Sequence, residues 1–149
     1  MKRDATEIEC ILFESGSIFY LLPKNLVTEI IPLEKTAIFL RRTGLILGRQ
    51  KYQAQIVPII SLQAETNALF TTIHPKLLII HLVHPNQTSM MPVAILLDSD
   101  PTYFTVRREQ MHLNSAASQN SNGTSVMIEA QRMVIPDLNH LAEAVITQL

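Results

Sequence analysis

The side chains that could do chemistry are few, and their spacing argues against most of it. His81 and His84 form an H-x-x-H pair that would share one face of a helix. They sit instead at the end of Leu77 to Val83, an apolar run that reads as a strand, where residues three apart point to opposite faces and cannot hold one ion. No cysteine or carboxylate cluster has ligand spacing either, so no metal is expected. His74, His112 and His140 stand alone. Asp98 and Asp100 could be imagined as an acid-base pair, but in a strand-end D-S-D-P they are expected to cap a turn through side-chain to backbone hydrogen bonds. Ser15-Gly16-Ser17 and Ser121-Asn122-Gly123 lack the flanking pattern of a nucleophile elbow or a phosphate loop. With Gly at only 4 positions, no phosphate cradle is available. No catalytic residue and no cofactor are expected.

One charge is better placed. Glu29 lies inside the apolar strand Leu26 to Ile31, where an acid faces either solvent or a partner. Strict alternation puts Val27 and Ile31 on its face, and an apolar pair flanking one acid makes a docking surface.

Composition narrows the class. At 149 residues and 47% hydrophobic, the chain is long enough for one globular unit that buries roughly two-thirds of its unfolded surface. Twelve basic and 13 acidic residues leave a formal charge of −1, too little field to attract phosphate backbones, so nucleic acid is not an expected partner. Cys10 is the only cysteine, which excludes an intrachain disulfide and places it in an apolar core. Asp4, Glu7 and Glu9 interrupt any signal-peptide core, and the longest apolar run, Met90 to Leu97, falls far short of the roughly 20 residues of a membrane helix. A cytoplasmic protein without direct membrane insertion is expected.

The elements follow from periodicity and punctuation. The stretch Gly44 to Leu62, GLILGRQKYQAQIVPIISL, organises the rest: a glycine turn, a short polar passage, then a strand whose two apolar faces, Ile56, Pro58, Ile60, Leu62 and Val57, Ile59, both want cover. Pro58 removes a ladder donor and predicts a bend or an edge. Ile8 to Phe13 and Ile18 to Leu22 flank a glycine turn as a hairpin, and Leu26 to Ile31 is closed by Pro32. Residues 33 to 43 fit a helical turn or a loop equally. Leu77 to Val83 and Met91 to Leu97 form a second hairpin, Tyr103 to Val106 another strand, and Val126 to Ile128 with Met133 to Ile135 a last pair. Residues 63 to 75 read as the junction between two halves, and the polar tract 114 to 125 as a flexible loop. Asp137 caps a final amphipathic helix with Leu138, Leu141, Ala142, Val145 and Leu149 on one stripe. Many short strands and one helix predict an all-β barrel architecture.

The order of these pieces resembles the CheW-like family of chemotaxis coupling proteins. The family's LP-x-x-x-V-x-E-I strand is matched by Leu22, Pro23, Val27, Glu29 and Ile30. Its glycine, Arg-Gly pair and Val-x-Pro-Val-x-Asp-Leu strand correspond to Gly48, Gln53-Ala54 and Ile56 to Leu62. The resemblance spans roughly residues 8 to 145 as one domain, 1 to 149. It implies two SH3-like five-stranded β-barrel subdomains around a shared core, no catalytic activity, and a scaffold that couples a chemoreceptor to a histidine kinase. The implied partners are the kinase's regulatory domain and the receptor's cytoplasmic tip, with Val27, Glu29, Gly48 and Gln53 at the receptor groove. Gly48 is expected to adopt a backbone conformation other residues avoid. Gln53, Ala54 and Ser61 replace the family's arginine, glycine and aspartate, and glutamine cannot supply the planar cation. Similar divergent paralogues serve type IV pilus twitching motility. Two alternatives stand beside this reading: a kinase-binding paralogue that has lost receptor binding, and a small β-barrel domain that binds a ligand or acts as an enzyme in its cleft.

Overall fold

Strands that are apolar on both faces need cover on both, and the fold answers this by sharing one core between two sheets. The computed structural model describes residues 7–15, 18–35, 37–39, 45–62, 75–83, 90–97, 99–107, 109, 111–113 and 123–148. In chain order these form β1 (Glu7–Ser15), β2 (Ile18–Pro23), a 3-10 turn (Lys24–Leu26), β3 (Val27–Pro32), β4 (Ile38–Phe39), β5 (Ile46–Tyr52) and β6 (Gln55–Ile60). Then come β7 (Lys76–Val83), β8 (Met90–Leu97), β9 (Thr102–Arg107), β10 (Met111–Leu113), β11 (Gly123–Ile128), β12 (Gln131–Pro136) and the helix α1 (Leu138–Gln148). One sheet runs β10-β11-β12-β2-β1-β9 and the other β3-β7-β8-β6-β5-β4. Each has five strands of six residues or more and one short strand, β10 or β4, at an edge. The two five-stranded halves expected from the sequence are therefore present.

The central core takes one face from each sheet. Ile11, Phe13, Tyr20 and Leu22 meet Ile60, Leu78, Ile80, Val93 and Ile95 there, and α1 adds Leu141, Ala142 and Val145. The opposite faces fill separate cores: Val57, Ile59, Leu77, Ile79, Ala94 and Leu96 inside the second sheet, and Cys10, Leu21, Val106, Val126, Ile128 and Met133 inside the first. Two weak polar ties cross the shared core, from Tyr20 Oη to the Leu62 carbonyl at 3.4 Å and from Ser15 Oγ to the Leu96 carbonyl at 3.4 Å. The Tyr20 ring stacks on Phe13 with centroids 5.6 Å apart. The helix begins as its cap predicts: Asp137 Oδ1 accepts the His140 N–H at 3.1 Å.

The second sheet curls until its distant strands β3 and β5 meet, and side chains make the join. Gln50, 2% exposed, accepts the Glu34 N–H on Oε1 at 2.8 Å and donates from Nε2 to the Pro32 carbonyl at 3.4 Å. Tyr52, also buried, donates its hydroxyl to Glu29 Oε2 at 2.7 Å.

The structure corrects several expectations. The polar passage before the Ile56 to Leu62 strand is itself strand β5, paired with β6 from Ile46↔Ile60 to Tyr52↔Gln55, because Arg49 and Lys51 face solvent while Gln50 is buried but hydrogen-bonded. Ile56 lacks the cover expected for it and is 69% exposed at the hairpin end, whereas Val57 to Leu62 are buried. Pro58 is accommodated because β8 joins β6 only from Ile59, so β6 has a free edge where the donor is missing. In the stretch 33 to 43, the Ala37 N–H bonds the Glu34 carbonyl ahead of β4, and 36 and 40 to 43 lie outside the described residues. The polar tract ends earlier than expected, since Gly123 to Ser125 belong to β11, and 114 to 122 lie outside the described residues, as do 63 to 74 of the junction. Gly123 is needed there, because a Cβ would clash with the Ile135 carbonyl across the ladder.

Two hairpins turn through residue pairs that would suit glycine. Gln53-Ala54 joins β5 to β6 at φ 47° and 64°, and Glu129-Ala130 joins β11 to β12 at φ 50° and 66°. Left-handed backbone costs a non-glycine residue roughly 1–2 kcal/mol, while glycine's extra chain entropy offsets roughly 0.5–1 kcal/mol of any relief. Ala130→Gly should therefore stabilise the fold by about 0.5–1 kcal/mol, read as a higher urea midpoint at unchanged slope. Gln50→Leu should destabilise it by about 1–3 kcal/mol, since the two part-buried hydrogen bonds of the join disappear. An unchanged midpoint for Gln50→Leu would show that the join carries no stability.

Candidate functional site

The residues singled out from the sequence do not form one face. In the β3–β7 ladder Val27 pairs with Ile80 but Glu29 pairs with Ile79, leaving Thr28 as a bulge. That extra residue reverses the alternation. Val27 and Ile30 turn toward the central core, while Glu29 and Ile31 lie on the side of the second sheet's own core, where Ile31 packs beside Leu33 and Ala37. The expected Val27-Glu29-Ile31 surface is thus split, because a bulge flips every side chain beyond it.

Glu29 and Gln53 are brought to one corner. Tyr52 ends β5, its hydroxyl holds the Glu29 carboxylate, and Gln53 follows it in the exposed turn. The hydrogen bond to Glu29, then burial, then the Glu29 charge hold the Tyr52 hydroxyl above the usual tyrosine range. Glu29 is therefore a fixed, exposed carboxylate with a structural duty at the join, and among the described residues it has no ion-pair partner. Beside it, Thr28 Oγ1 and His81 Nδ1 lie 2.8 Å apart. Tyr52 was not singled out by sequence reasoning. Its signal was a tyrosine directly before a two-residue turn.

Gly48 lies elsewhere, four residues and about 13 Å back along β5. It is buried between Phe39 and Ile59 at a register shift of the β5–β6 ladder. Positive φ among the described residues occurs at Gln53, Ala54, Glu129, Ala130 and Gly123, not at Gly48. The unusual conformation expected of Gly48 is therefore absent, and its place in the register shift is what distinguishes it.

A second feature emerges at the start of β3. The Lys24–Leu26 turn overhangs β1 and β9 and leaves an open depression of about 710 Å³ lined by Glu7, Ile8, Glu9, Lys24, Leu26 and Thr105. Ile8, Leu26 and Tyr103 are exposed around it, and the Lys24 ammonium lies 5.5 Å from the Tyr103 ring centre and 4.0 Å from Glu9. An apolar rim with paired charges suits a polypeptide partner better than a small polar substrate.

The other chemical candidates are accounted for. Asp100 pairs with Lys76 at 2.7 Å, and Asp98 and His84 lie outside the described residues. Burial pushes the Cys10 thiol up from its ordinary value, which leaves it protonated and unreactive. No group of three or more His, Cys, Asp or Glu among the described residues could hold a metal ion, and no described helix is long and apolar enough to cross a membrane.

Comparison with known proteins agrees with this architecture. No curated protein sequence matches the chain. Among solved structures, the scaffolding protein TtCheW from Thermoanaerobacter tengcongensis superposes with a TM-score of 0.73 at 11% identity, covering 95% of this chain and 91% of that one. At that identity the likeness speaks for the fold alone. The sequence itself matches the model of the CheW-like domain over residues 9–145, which takes in both sheets and most of α1, and the chain belongs to that family.

Proposed function

We propose that this chain is an adaptor that couples a chemoreceptor to a histidine kinase in a cytoplasmic bacterial chemosensory pathway. Membership of the CheW-like family makes it a non-enzymatic domain. The observation that carries the coupling reading is the extent of the family match, which spans the complete pair of sheets rather than one barrel. The kinase's CheW-like regulatory domain is one partner and the receptor's cytoplasmic tip the other. Support for receptor docking comes from the depression at the start of β3 and from the corner holding Glu29 and Gln53. The pathway, chemotaxis or type IV pilus twitching motility, is set by the kinase it binds. A second reading, an adaptor that binds kinase without receptor, is favoured by one specific observation: Gln53 stands in the exposed turn where the family resemblance places an arginine.

Calorimetric titration with the kinase regulatory domain and with a soluble receptor fragment separates these readings. The coupling reading expects both to bind. Glu29→Lys should lower receptor-fragment affinity at least about tenfold by reversing a charge at the contact. Tyr52→Phe, which removes the same hydrogen bond but keeps the charge, should change it by less than about threefold. Equal loss in both variants would reduce Glu29 to a structural role, and binding of kinase alone would establish the second reading. Tyr52→Phe also has a pH signature. A hydroxyl held above its unfolded pKa near 10.0 stabilises the fold fully below that pH and loses this contribution as pH rises through the folded value. The wild-type chain should thus lose stability above pH 10.0 through this group, and Tyr52→Phe should not.

A further inference from the structure

The corner that holds Glu29 also holds the one kind of side chain that ordinarily changes charge near neutral pH. His81 alternates with Ile79 and Val83 onto one face of β7, and Glu29 shares that face because it pairs with Ile79. The register makes His81 the diagonal neighbour of Glu29, roughly 7–8 Å away across the strands. The Thr28 bulge lies between them, with its Oγ1 2.8 Å from Nδ1 of the half-buried His81 ring. Each element packed here was searched for charge among the described residues. From β3 come Thr28 and Glu29, from β5 the Tyr52 hydroxyl bonded to Glu29, and from β8 the uncharged Pro92 opposite His81 and Met90 opposite Val83. Tyr52 stays neutral through this pH range, because its hydroxyl is held above the usual tyrosine value. Glu29 is therefore the charge that His81 meets.

We propose that His81 makes the Glu29 contact sensitive to pH, weakening it when the imidazole takes up a proton. The inference rests on the coupling reading, in which Glu29 meets the receptor through its charge. An imidazolium beside Glu29 offsets the carboxylate's field and repels the same cation that the carboxylate attracts. Tyr52 holds the carboxylate by Oε2 at 2.7 Å, so it cannot swing outward past the imidazolium to restore the contact. Thr28 lets the charge change without breaking the corner. Its hydroxyl donates to Nδ1 of a neutral ring and accepts the Nδ1–H of an imidazolium, so the 2.8 Å contact serves both states. Proton uptake thus acts on the partner's affinity and leaves the fold in place. Two unit charges roughly 7 Å apart on a hydrated surface change an affinity by about threefold.

The test titrates a soluble receptor cytoplasmic fragment and the kinase regulatory domain into the wild-type chain, His81→Gln and His81→Lys, from about pH 8 down to about pH 5.5 at constant ionic strength. Protonation of the partners themselves cancels in the difference between wild type and His81→Gln. The wild-type affinity for the receptor fragment should fall about threefold more than that of His81→Gln over this range. His81→Lys, a fixed cation, should already be weak at the upper end, and raised salt should shrink each difference. Kinase-domain affinity should follow one pH profile in all three. A second measurement needs no variant: binding of the receptor fragment should move the His81 imidazole titration of the wild-type chain to lower pH, read by NMR. Parallel receptor-affinity profiles in wild type and His81→Gln, or an unmoved imidazole titration, overturn this inference and leave the coupling reading standing. Failure of the wild-type chain to bind either protein at any pH overturns both.

Discussion

The structure depends on three strands that must be buried on both sides. β6, β7 and β8 send alternate residues into two cores: Ile60, Leu78, Ile80, Val93 and Ile95 toward the first sheet and α1, and Val57, Ile59, Leu77, Ile79, Ala94 and Leu96 into the second sheet's own interior. Neither face of these strands could be left in water without exposing several large aliphatic side chains, each worth roughly 1.5–3 kcal/mol on burial. The second barrel therefore cannot stand alone. This explains why α1 covers the same core, and why the two sheets share one core despite their separate interiors.

Covering both faces leaves the edges to be managed. The second sheet closes β3 against β5 with Gln50 and Tyr52 rather than with a continuous backbone ladder. A side-chain join tolerates local change better than a ladder, because it fixes a few atoms instead of a register. The Thr28 bulge sits at this point, and it puts Val27 on the same core as Ile30 while Glu29 and Ile31 turn to the other side. Glu29 owes its fixed position to the same bulge. The feature that looked functional in the sequence is thus inseparable from the closure of the barrel.

What the sequence made legible follows from what is local. Continuous apolar runs such as Leu77 to Val83 and Met91 to Leu97, bounded by turn residues, announced buried strands, and Asp137 announced its helix. β5 was hidden because Arg49, Gln50 and Lys51 look like a loop. Gln50 is buried only because partners from residues 32 and 34 reach it, and no local pattern reveals that. The Val27-Glu29-Ile31 face failed for a similar reason, since a bulge is defined by the partner strand and leaves no mark in a single chain's alternation. Tyr52 and the depression under the Lys24–Leu26 turn are products of closure and of strand packing, both nonlocal.

The surfaces left over are themselves shaped by these constraints. A chain with most of its aliphatic side chains committed to three cores can offer partners only the rims where strands outrun their cover. Ile56 is such a place, because β6 extends beyond the point where β8 joins it at Ile59. Leu26 and Tyr103 are another, where the turn before β3 overhangs the first sheet. Both rims place charge beside the exposed apolar group, Lys51 at one and Lys24 with Glu9 at the other. Charge at such a position keeps the rim hydrated when unoccupied and orients the partner when occupied. At the Lys24 rim the charges are already paired within the chain, so that contact should depend mainly on shape and apolar burial. At the Lys51 rim no described residue pairs with the cation, which keeps that margin hydrated beside Ile56.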